Sequence, residues 1–329
     1  MKNKIITLAL CAMLFALCSS ADAQQPKKVP PIGYLALGAF TSTTATTRRE
    51  AFRHGLRELG YVEGKNIVVE WRSADGKLDR LPTLAAELVR LKVEVIVAAA
   101  SSVTRAAKEA TTTIPIVFAQ EGDPFASGFV ASLARPGGNL TGLSALAPEL
   151  TGKRLELLKE TVPRLSRVAV LGTSTGSGYA QMLKESEVAA GALKVKLQNL
   201  DVSDPKDIET AFRAASKGRA EAVLVLGGPV LATHPTQVVD LAVKSRLPAI
   251  YNFPEFVEAG GLMTYGVSSP DLHWRAATFV DKILKGAKPA DLPVEQPKKF
   301  EFIINLKAAK QIGLTIPPNV LVRADRVIK

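Results

Sequence analysis

Cysteine is nearly absent from this chain of 329 residues, and the positions of the two that occur matter more than their number. Cys11 and Cys18 lie in an N-terminal segment that begins with two lysines, continues as an apolar run over 5–17 and ends in small residues at 21–23. This arrangement is typical of a secretory signal peptide, which we predict over residues 1–23. Its removal would leave no cysteine, which excludes disulfides, thiolate catalysis and cysteine metal sites in the mature chain.

Long hydrophobic runs are also lacking. The run over 5–17 is too short to span a bilayer, and no other segment approaches about 18 unbroken apolar residues. A lipoprotein acylated at Cys18 is an alternative, but Leu17 stands where a small residue is expected before an acylated cysteine. We therefore predict a periplasmic protein released by signal-peptide cleavage.

Clustered basic residues and metal-ligand patterns are missing too. The formal net charge is +11, but no three consecutive residues are Lys or Arg, so the charge is dispersed and no nucleic-acid partner is predicted. His54, His234 and His273 show no metal-ligand spacing, so we predict no metal. The glycine-rich segments 60–65 and 172–178 fit neither a P-loop nor a dinucleotide fingerprint, and no cofactor is predicted.

What the sequence does contain is a repeated alternation of short aliphatic runs with amphipathic stretches. This pattern predicts βα units and parallel sheets that are buried on both faces. The spacing between runs is that of a strand plus a crossover helix. Predicted strands begin near Ile32, Ile67, Val93 and Pro115, and a second set begins near Val168, Lys194, Ala222 and Pro248. The chain is therefore predicted to be an α/β protein made of two Rossmann-like lobes.

After the eighth predicted strand the pattern changes. A short strand over 262–265 is followed by a helix over 271–284, a proline-rich connection, a strand over 302–304 and a helix over 307–312. This segment is too short for a third domain, so we predict that it crosses back between the two lobes. The predicted N-terminal lobe is 30–145 plus about 267–290, and the C-terminal lobe is about 146–266 plus 291–329.

One local motif suggests catalysis. Residues 172–176 read Gly-Thr-Ser-Thr-Gly after a predicted strand and before a helix, which is the context of a hydrolase nucleophile elbow with Ser174 as nucleophile. A secreted serine hydrolase is therefore an alternative function. Its acid would be Asp201 or Asp240, and its base would be His234 or His273.

Polar and glycine-containing loops recur after the predicted strands. In a doubly wound sheet these loops lie at the carboxyl edge, where ligands bind and where free N–H groups of helices are available. Two such edges facing each other would form a polar cleft. The loops are 38–44, 101–102, 122–124, 173–177 and 227–229.

Five long stretches resemble one known family, the substrate-binding proteins of ABC importers that include tryptophan- and tyrosine-binding lipoproteins. They are 51–66, 79–98, 111–144, 256–266 and 292–318. The resemblance implies a type I periplasmic-binding fold, with two lobes joined by three crossings that close on a small ligand by hinge motion. It implies a binding protein rather than an enzyme, monomeric, with a small-molecule ligand and the membrane permease of an ABC importer as partners. A receptor module that reports its ligand to a sensor is a further alternative.

The resemblance also suggests a ligand site. Asp123 falls in the family's Gly-Asp-Pro turn, and residues 139–142 match the first crossing, whereas the loop 173–178 departs from the family pattern. We hypothesise that serine and threonine side chains hold a ligand carboxylate, that Asp123 faces an ammonium group, and that aromatic side chains form the walls. The predicted ligand, an amino acid or related molecule, would contact Phe40, Thr41, Ser101, Ser102, Asp123, Thr173, Ser174, Gly228, Tyr251 and Phe253.

Overall fold

The computed structural model describes residues 29–176 and 178–329. The predicted signal peptide lies outside the described residues. None of the helices described is both long and apolar enough to cross a membrane. The strands are β1 (Pro31–Ala36), β2 (Val68–Ser73), β3 (Val95–Ala98), β4 (Ile116–Glu121), β5 (Leu140–Ser144), β6 (Arg167–Gly172), β7 (Lys196–Asp201), β8 (Ala222–Gly227), β9 (Ala249–Tyr251), β10 (Met263–Val267), β11 (Phe300–Asn305) and β12 (Arg326–Ile328).

The α-helices alternate with these strands along most of the chain. They are α1 (Thr43–Glu58), α2 (Leu81–Arg90), α3 (Ser101–Ala110), α4 (Ala147–Thr161), α5 (Tyr179–Leu193), α6 (Pro205–Lys217), α7 (Pro229–Thr233), α8 (Pro235–Lys244), α9 (Pro254–Glu258), α10 (Ser269–Leu284), α11 (Leu306–Gln311) and α12 (Pro318–Leu321). Short 3₁₀ turns occur at Leu78–Arg80 and Pro289–Asp291.

The strands form two sheets. The first sheet has five parallel strands in the order β2-β1-β3-β4-β5, and the second has seven in the order β12-β11-β10-β9-β8-β6-β7. All pairs are parallel except β10 with β11, which run antiparallel. The predicted α/β fold of mostly parallel sheets is confirmed, and the antiparallel β11 is the exception that the pattern did not indicate.

Buried aliphatic side chains on both faces explain why these segments form central strands. Every residue of β3, β4 and β8 is buried. The apolar core therefore divides into four clusters, two against each sheet. Local signals fix the helix ends: the Ser42 hydroxyl accepts a hydrogen bond from the Ala45 N–H at the start of α1, and Gly60 follows that helix with φ +87°.

The eight strand starts predicted from aliphatic runs lie within about two residues of the observed ones. Strand β5 was not predicted, because the expected first crossing covers part of it and its residues include Thr, Gly and Ser. Gly142 in β5 has φ +145°, and a Cβ there would stand 2.1 Å from the carbonyl oxygen of Phe118. Only glycine permits this close approach to β4.

Helix α10 belongs to the second sheet by its position in the sequence but packs on the first sheet. It lies between β10 and β11 of the second sheet in sequence, but it packs on α1 and on strands of the first sheet. The return segment then pairs with β5, where the Ser144 N–H donates to the Glu295 carbonyl at 2.9 Å. The predicted lobe boundaries, with residues 267–290 in the N-terminal lobe, stay a prediction.

The contact between α1 and α10 depends on a small residue. A Cβ on Gly55 would lie 2.4 Å from the Trp274 carbonyl oxygen and 2.9 Å from the Ala277 Cβ. We therefore expect Gly55→Ala to lower the free energy of unfolding by about 1–3 kcal/mol, because α10 must move away from α1. Urea denaturation followed by circular dichroism measures this change.

Gly191→Ala is the matched control, since Gly191 is also helical but exposed, with no atom within 4 Å of its added Cβ. It should leave stability unchanged or raise it by up to about 1 kcal/mol. Equal effects of the two substitutions would contradict the close packing of α1 on α10.

Candidate functional site

A cavity of about 420 Å³ lies between the carboxyl ends of the two sheets. Both sheets and the helices beside them supply its walls, as expected for strands whose carboxyl ends share one edge. From the first sheet and its helices the side chains include Tyr34, Phe40, Ser42, Arg48, Asp75, Ser101 and Gln120. From the second they include Arg154, Thr233, Asn252, Phe253, Glu255, Phe256, Glu258 and, at the end of β10, Val267.

Aromatic side chains give the cavity rigid apolar walls. Tyr34 packs against Trp71 with ring centroids 4.8 Å apart, and Phe40 meets the Trp71 ring edge-on at 5.9 Å. On the opposite wall Phe256 stacks on buried Tyr251 at 4.8 Å with an interplanar angle of 6°. Because neighbouring rings fix these side chains, they present preformed surfaces to a ligand.

Polar contacts join the two sides of the cavity. The Arg48 guanidinium on α1 forms an ion pair with Glu255 on α9 at 2.6 Å and donates to the Ser269 hydroxyl at 3.1 Å. The Glu258 carboxylate accepts from the Thr44 hydroxyl at 2.5 Å and from the Thr44 backbone N–H at 3.4 Å. The contacts with Glu255 and Glu258 hold α1 to α9, and the contact with Ser269 holds α1 to α10.

A buried acid fixes the orientation of one cavity hydroxyl. Glu121, at the end of β4, is 1% exposed and accepts hydrogen bonds from the hydroxyls of Ser101 at 2.7 Å and Ser127 at 3.1 Å. Burial raises the pKa of Glu121 to about 7, against the opposing effect of these two hydrogen bonds. Since the Ser101 hydroxyl donates its proton to Glu121, its oxygen is left to act as an acceptor at the cavity wall.

Two further cavity side chains carry atoms without partners among the described residues. The Asn252 amide nitrogen donates to the Leu226 carbonyl at 3.1 Å, while its Oδ1 is buried and has no hydrogen bond. The Arg154 Nε donates to the Tyr265 carbonyl at 2.7 Å, while its Nη1 is likewise buried and has no hydrogen bond. The Asn252 Oδ1 is thus a free acceptor and the Arg154 Nη1 a free cationic donor. Arg48 Nε and Glu255 Oε2 also lack hydrogen bonds among the described residues, but these two side chains are ion-paired with each other.

Three of the predicted site residues line this cavity: Phe40, Ser101 and Phe253. The other seven, which are not among its lining residues, are Thr41, Ser102, Asp123, Thr173, Ser174, Gly228 and Tyr251.

The contacts of these side chains explain their placement. The Thr173 hydroxyl donates to the Val202 carbonyl at 2.8 Å, and Tyr251 lies in the core under the second sheet. The Asp123 carboxylate accepts from the backbone N–H groups of Phe125 and Ala126 at 3.1 and 2.9 Å, so it caps its own turn. A side chain that satisfies neighbouring backbone groups is less available to a ligand.

Sequence reasoning missed the charged and amide residues of the cavity because they lie inside helices or at strand ends and look like surface charge. They include Arg48, Gln120, Arg154, Asn252, Glu255 and Glu258. A signal did exist for Arg154, which is four residues from both Leu150 and Leu158, on the buried stripe of α4. A charged residue at an apolar position of an amphipathic helix is informative, because charged side chains are almost never fully buried unless they are paired.

The nucleophile elbow suggested by residues 172–176 has no base in the described structure. The Ser174 backbone N–H donates to Asp201 at 2.6 Å. The ring nitrogen Nδ1 of His234 contacts the Val230 carbonyl, and that of His273 contacts the Ser269 carbonyl. Burial lowers the pKa of His273 to about 3, and neither histidine forms a hydrogen bond with Ser174 among the described residues. The motif therefore serves the turn between β6 and α5.

Two facing sheets with a small-molecule cavity between their carboxyl edges define a two-lobed α/β binding protein of the type I periplasmic-binding class. The family profile described as ABC transporter substrate binding protein matches residues 39–328, and the chain belongs to this family. The family resemblance of the five sequence stretches is thereby confirmed. The members and structural neighbours are binding proteins, and this protein is a binding protein rather than an enzyme.

Individual relatives agree with this assignment. A tyrosine-binding protein of Clostridioides difficile (strain R20291) is 24% identical over 266 residues, which cover 81% of this chain and 76% of the relative. The crystal structure of an ABC domain from Streptococcus pneumoniae in complex with L-Trp is 26% identical, with a TM-score of 0.82, over 91% of this chain and 99% of that one. A conserved domain protein from Vibrio cholerae O1 biovar El Tor is 27% identical, with a TM-score of 0.82, over 91% and 100%.

The buried Glu121 predicts a pH dependence of stability. Its pKa is about 7 in the folded protein against an ordinary 4.5. Between pH 4.5 and pH 7, Glu121 is therefore ionised in the unfolded state but still protonated in the folded state. Stability should therefore fall by up to about 3 kcal/mol as the pH rises through this window, and Glu121→Gln should remove that loss. Urea unfolding of both proteins at pH 5 and pH 8 measures the difference.

Glu109→Gln is the control, because Glu109 is exposed and its removal should leave the pH dependence of the wild type intact. The same pH dependence in the Glu121→Gln protein as in the wild type would show that Glu121 is not the group responsible.

Proposed function

We propose that this protein captures an amino acid or a related small organic molecule in the cavity between its sheets and delivers it to the membrane permease of an ABC importer. The predicted signal peptide, residues 1–23, directs export to the periplasm and is then cleaved off. The protein acts as a monomer. Family membership supports the transport role, and the relatives that bind tyrosine or L-Trp support the ligand class.

The observation that carries the proposal is the composition of the cavity. Its volume of about 420 Å³ suits a small organic molecule. Apolar rings from both sides, Phe40 and Phe253, combine with the Ser101 oxygen and the Asn252 Oδ1 as acceptors. A ligand with an apolar body and a few polar groups complements these walls, and an aromatic amino acid has that form.

The contacts between α1 and α9 suggest how ligand binding is linked to delivery. Arg48, Glu255 and Glu258 line the cavity and also join α1 to α9. A ligand bound between the sheets lies beside these contacts and would favour the arrangement in which they are formed. The permease would then recognise the closed form, in which both lobes present one surface, as in other hinge-closing binding proteins.

Phe40→Ala should weaken ligand binding by about tenfold or more, because a buried ring contributes roughly 1.5–3 kcal/mol of apolar contact. The ligand is first identified by mass spectrometry of the material that co-purifies with the protein. Isothermal titration of the ligand-free protein with that compound, and with a panel of amino acids, then gives the affinities of wild type and variant.

Phe125→Ala is the matched control, since Phe125 is 63% exposed and is not among the cavity residues. It should bind as the wild type does. Equal losses in the two variants, or an unchanged affinity in Phe40→Ala, would contradict the proposed location of the ligand.

A further inference from the structure

Arg154 is a buried cation without a counter-ion in the part of the chain that the structure describes. It projects from α4, is 3% exposed, and makes one hydrogen bond, from its Nε to the Tyr265 carbonyl at 2.7 Å. Its Nη1 is buried without a partner, and no carboxylate of the described residues lies within ion-pair distance of the guanidinium. Burial lowers the pKa of Arg154 to about 10, which reflects the loss of water around the charge.

Arg275 shows what a compensated buried arginine looks like in this protein. It is 6% exposed, and it forms ion pairs with Asp271 at 3.8 Å and with Glu295, and donates to the Gln296 carbonyl at 3.0 Å. A buried charge without such partners carries a desolvation penalty of several kcal/mol. Arg154 retains that penalty, so an anion that reaches it from outside the protein would gain an unusually strong interaction.

The guanidinium lies at the ligand cavity. Arg154 is one of the cavity residues, and a Cβ built on Gly266 would stand 3.9 Å from its Nη2 and 3.3 Å from the Asn252 carbonyl oxygen. The guanidinium is therefore beside the carboxyl ends of β9 and β10, at the sheet edge where ligands bind in this class of fold.

We propose that Arg154 is the anchor for a carboxylate of the ligand, an inference that rests on the proposed function and deepens it. The planar guanidinium has donors on both terminal nitrogens and matches the two oxygens of a carboxylate. A singly charged group suits the cavity better than a phosphate dianion, because Asp75, Glu255 and Glu258 also line it. In this proposal Arg154 of α4 binds the ligand carboxylate, which the sequence analysis had assigned to serine and threonine side chains.

The test compares ligands that differ by one carboxylate. L-tyrosine and L-tryptophan are titrated against tyramine and tryptamine, by isothermal titration, into wild-type, Arg154→Met and Arg154→Lys proteins. We expect the wild type to bind the acids at least about 30-fold more tightly than the amines, and Arg154→Met to remove that preference. Arg154→Lys, which keeps the charge but not the planar pair of donors, should fall between them.

Arg72→Met is the binding control. Arg72 is half-buried and paired with Glu70 and Glu87, and it is not a cavity residue, so its loss should leave the preference for acids intact. Three results would overturn the proposal: equal wild-type affinity for acid and amine, unchanged acid affinity in Arg154→Met, or equal loss of both ligand types in Arg154→Met. Tighter wild-type binding of inorganic phosphate than of the acids would also overturn it.

A second measurement needs no ligand and separates this proposal from the ligand class proposed above. If the wild type binds none of the four probes, amino-acid binding fails, and thermal unfolding of the ligand-free proteins decides on Arg154. An uncompensated charge predicts an unfolding temperature for Arg154→Met equal to or above that of the wild type, whereas Arg275→Met should unfold several degrees lower. A fall in Arg154→Met as large as that in Arg275→Met would show that Arg154 stabilises the fold itself and would overturn the proposal.

Discussion

The parallel direction of the strands is the constraint on which the rest of this structure depends. Parallel strands joined by crossover helices bring all their carboxyl ends to one edge of a sheet. The chain builds two such sheets, and α10 ties them by packing on α1 of the first while it connects β10 to β11 of the second. The cavity lies where the two edges meet, so its position follows from strand direction rather than from any single residue.

Charged side chains are dispersed on the surface, whereas a few buried ones lie at the cavity. The net charge of +11 is spread along the chain without clusters. At the cavity, Arg48 is paired with Glu255, and Arg154 has a buried donor without a hydrogen bond among the described residues; behind the wall, Glu121 accepts hydrogen bonds from two hydroxyls. In a region of low dielectric constant a buried charge such as Arg154 interacts more strongly with a ligand than a solvated surface charge does. Binding energy and selectivity can therefore come from very few residues.

Much of the fold could be predicted because its signals are local. Aliphatic runs gave the central strands, and Gly60 marked the end of α1. Strand β5 escaped because it is short and contains Gly142, whose role depends on the Phe118 carbonyl of a neighbouring strand. The candidate site was harder. Phe40, Ser101 and Phe253 were found at strand and helix ends, whereas Arg48, on the second turn of α1, resembled an ordinary surface arginine.

The sequence alone determined the fold class, the two sets of βα units and the family, because hydrophobic periodicity and long matching segments survive without knowledge of contacts. Tertiary structure decided which polar side chains meet. Tyr251 lies in the core, and the Thr173 hydroxyl donates to the Val202 carbonyl. Arg154 lies at the cavity without a counter-ion among the described residues. The physical reason is that the desolvation and pairing of a polar group depend on neighbours distant in sequence, as Arg154 and Tyr265 show.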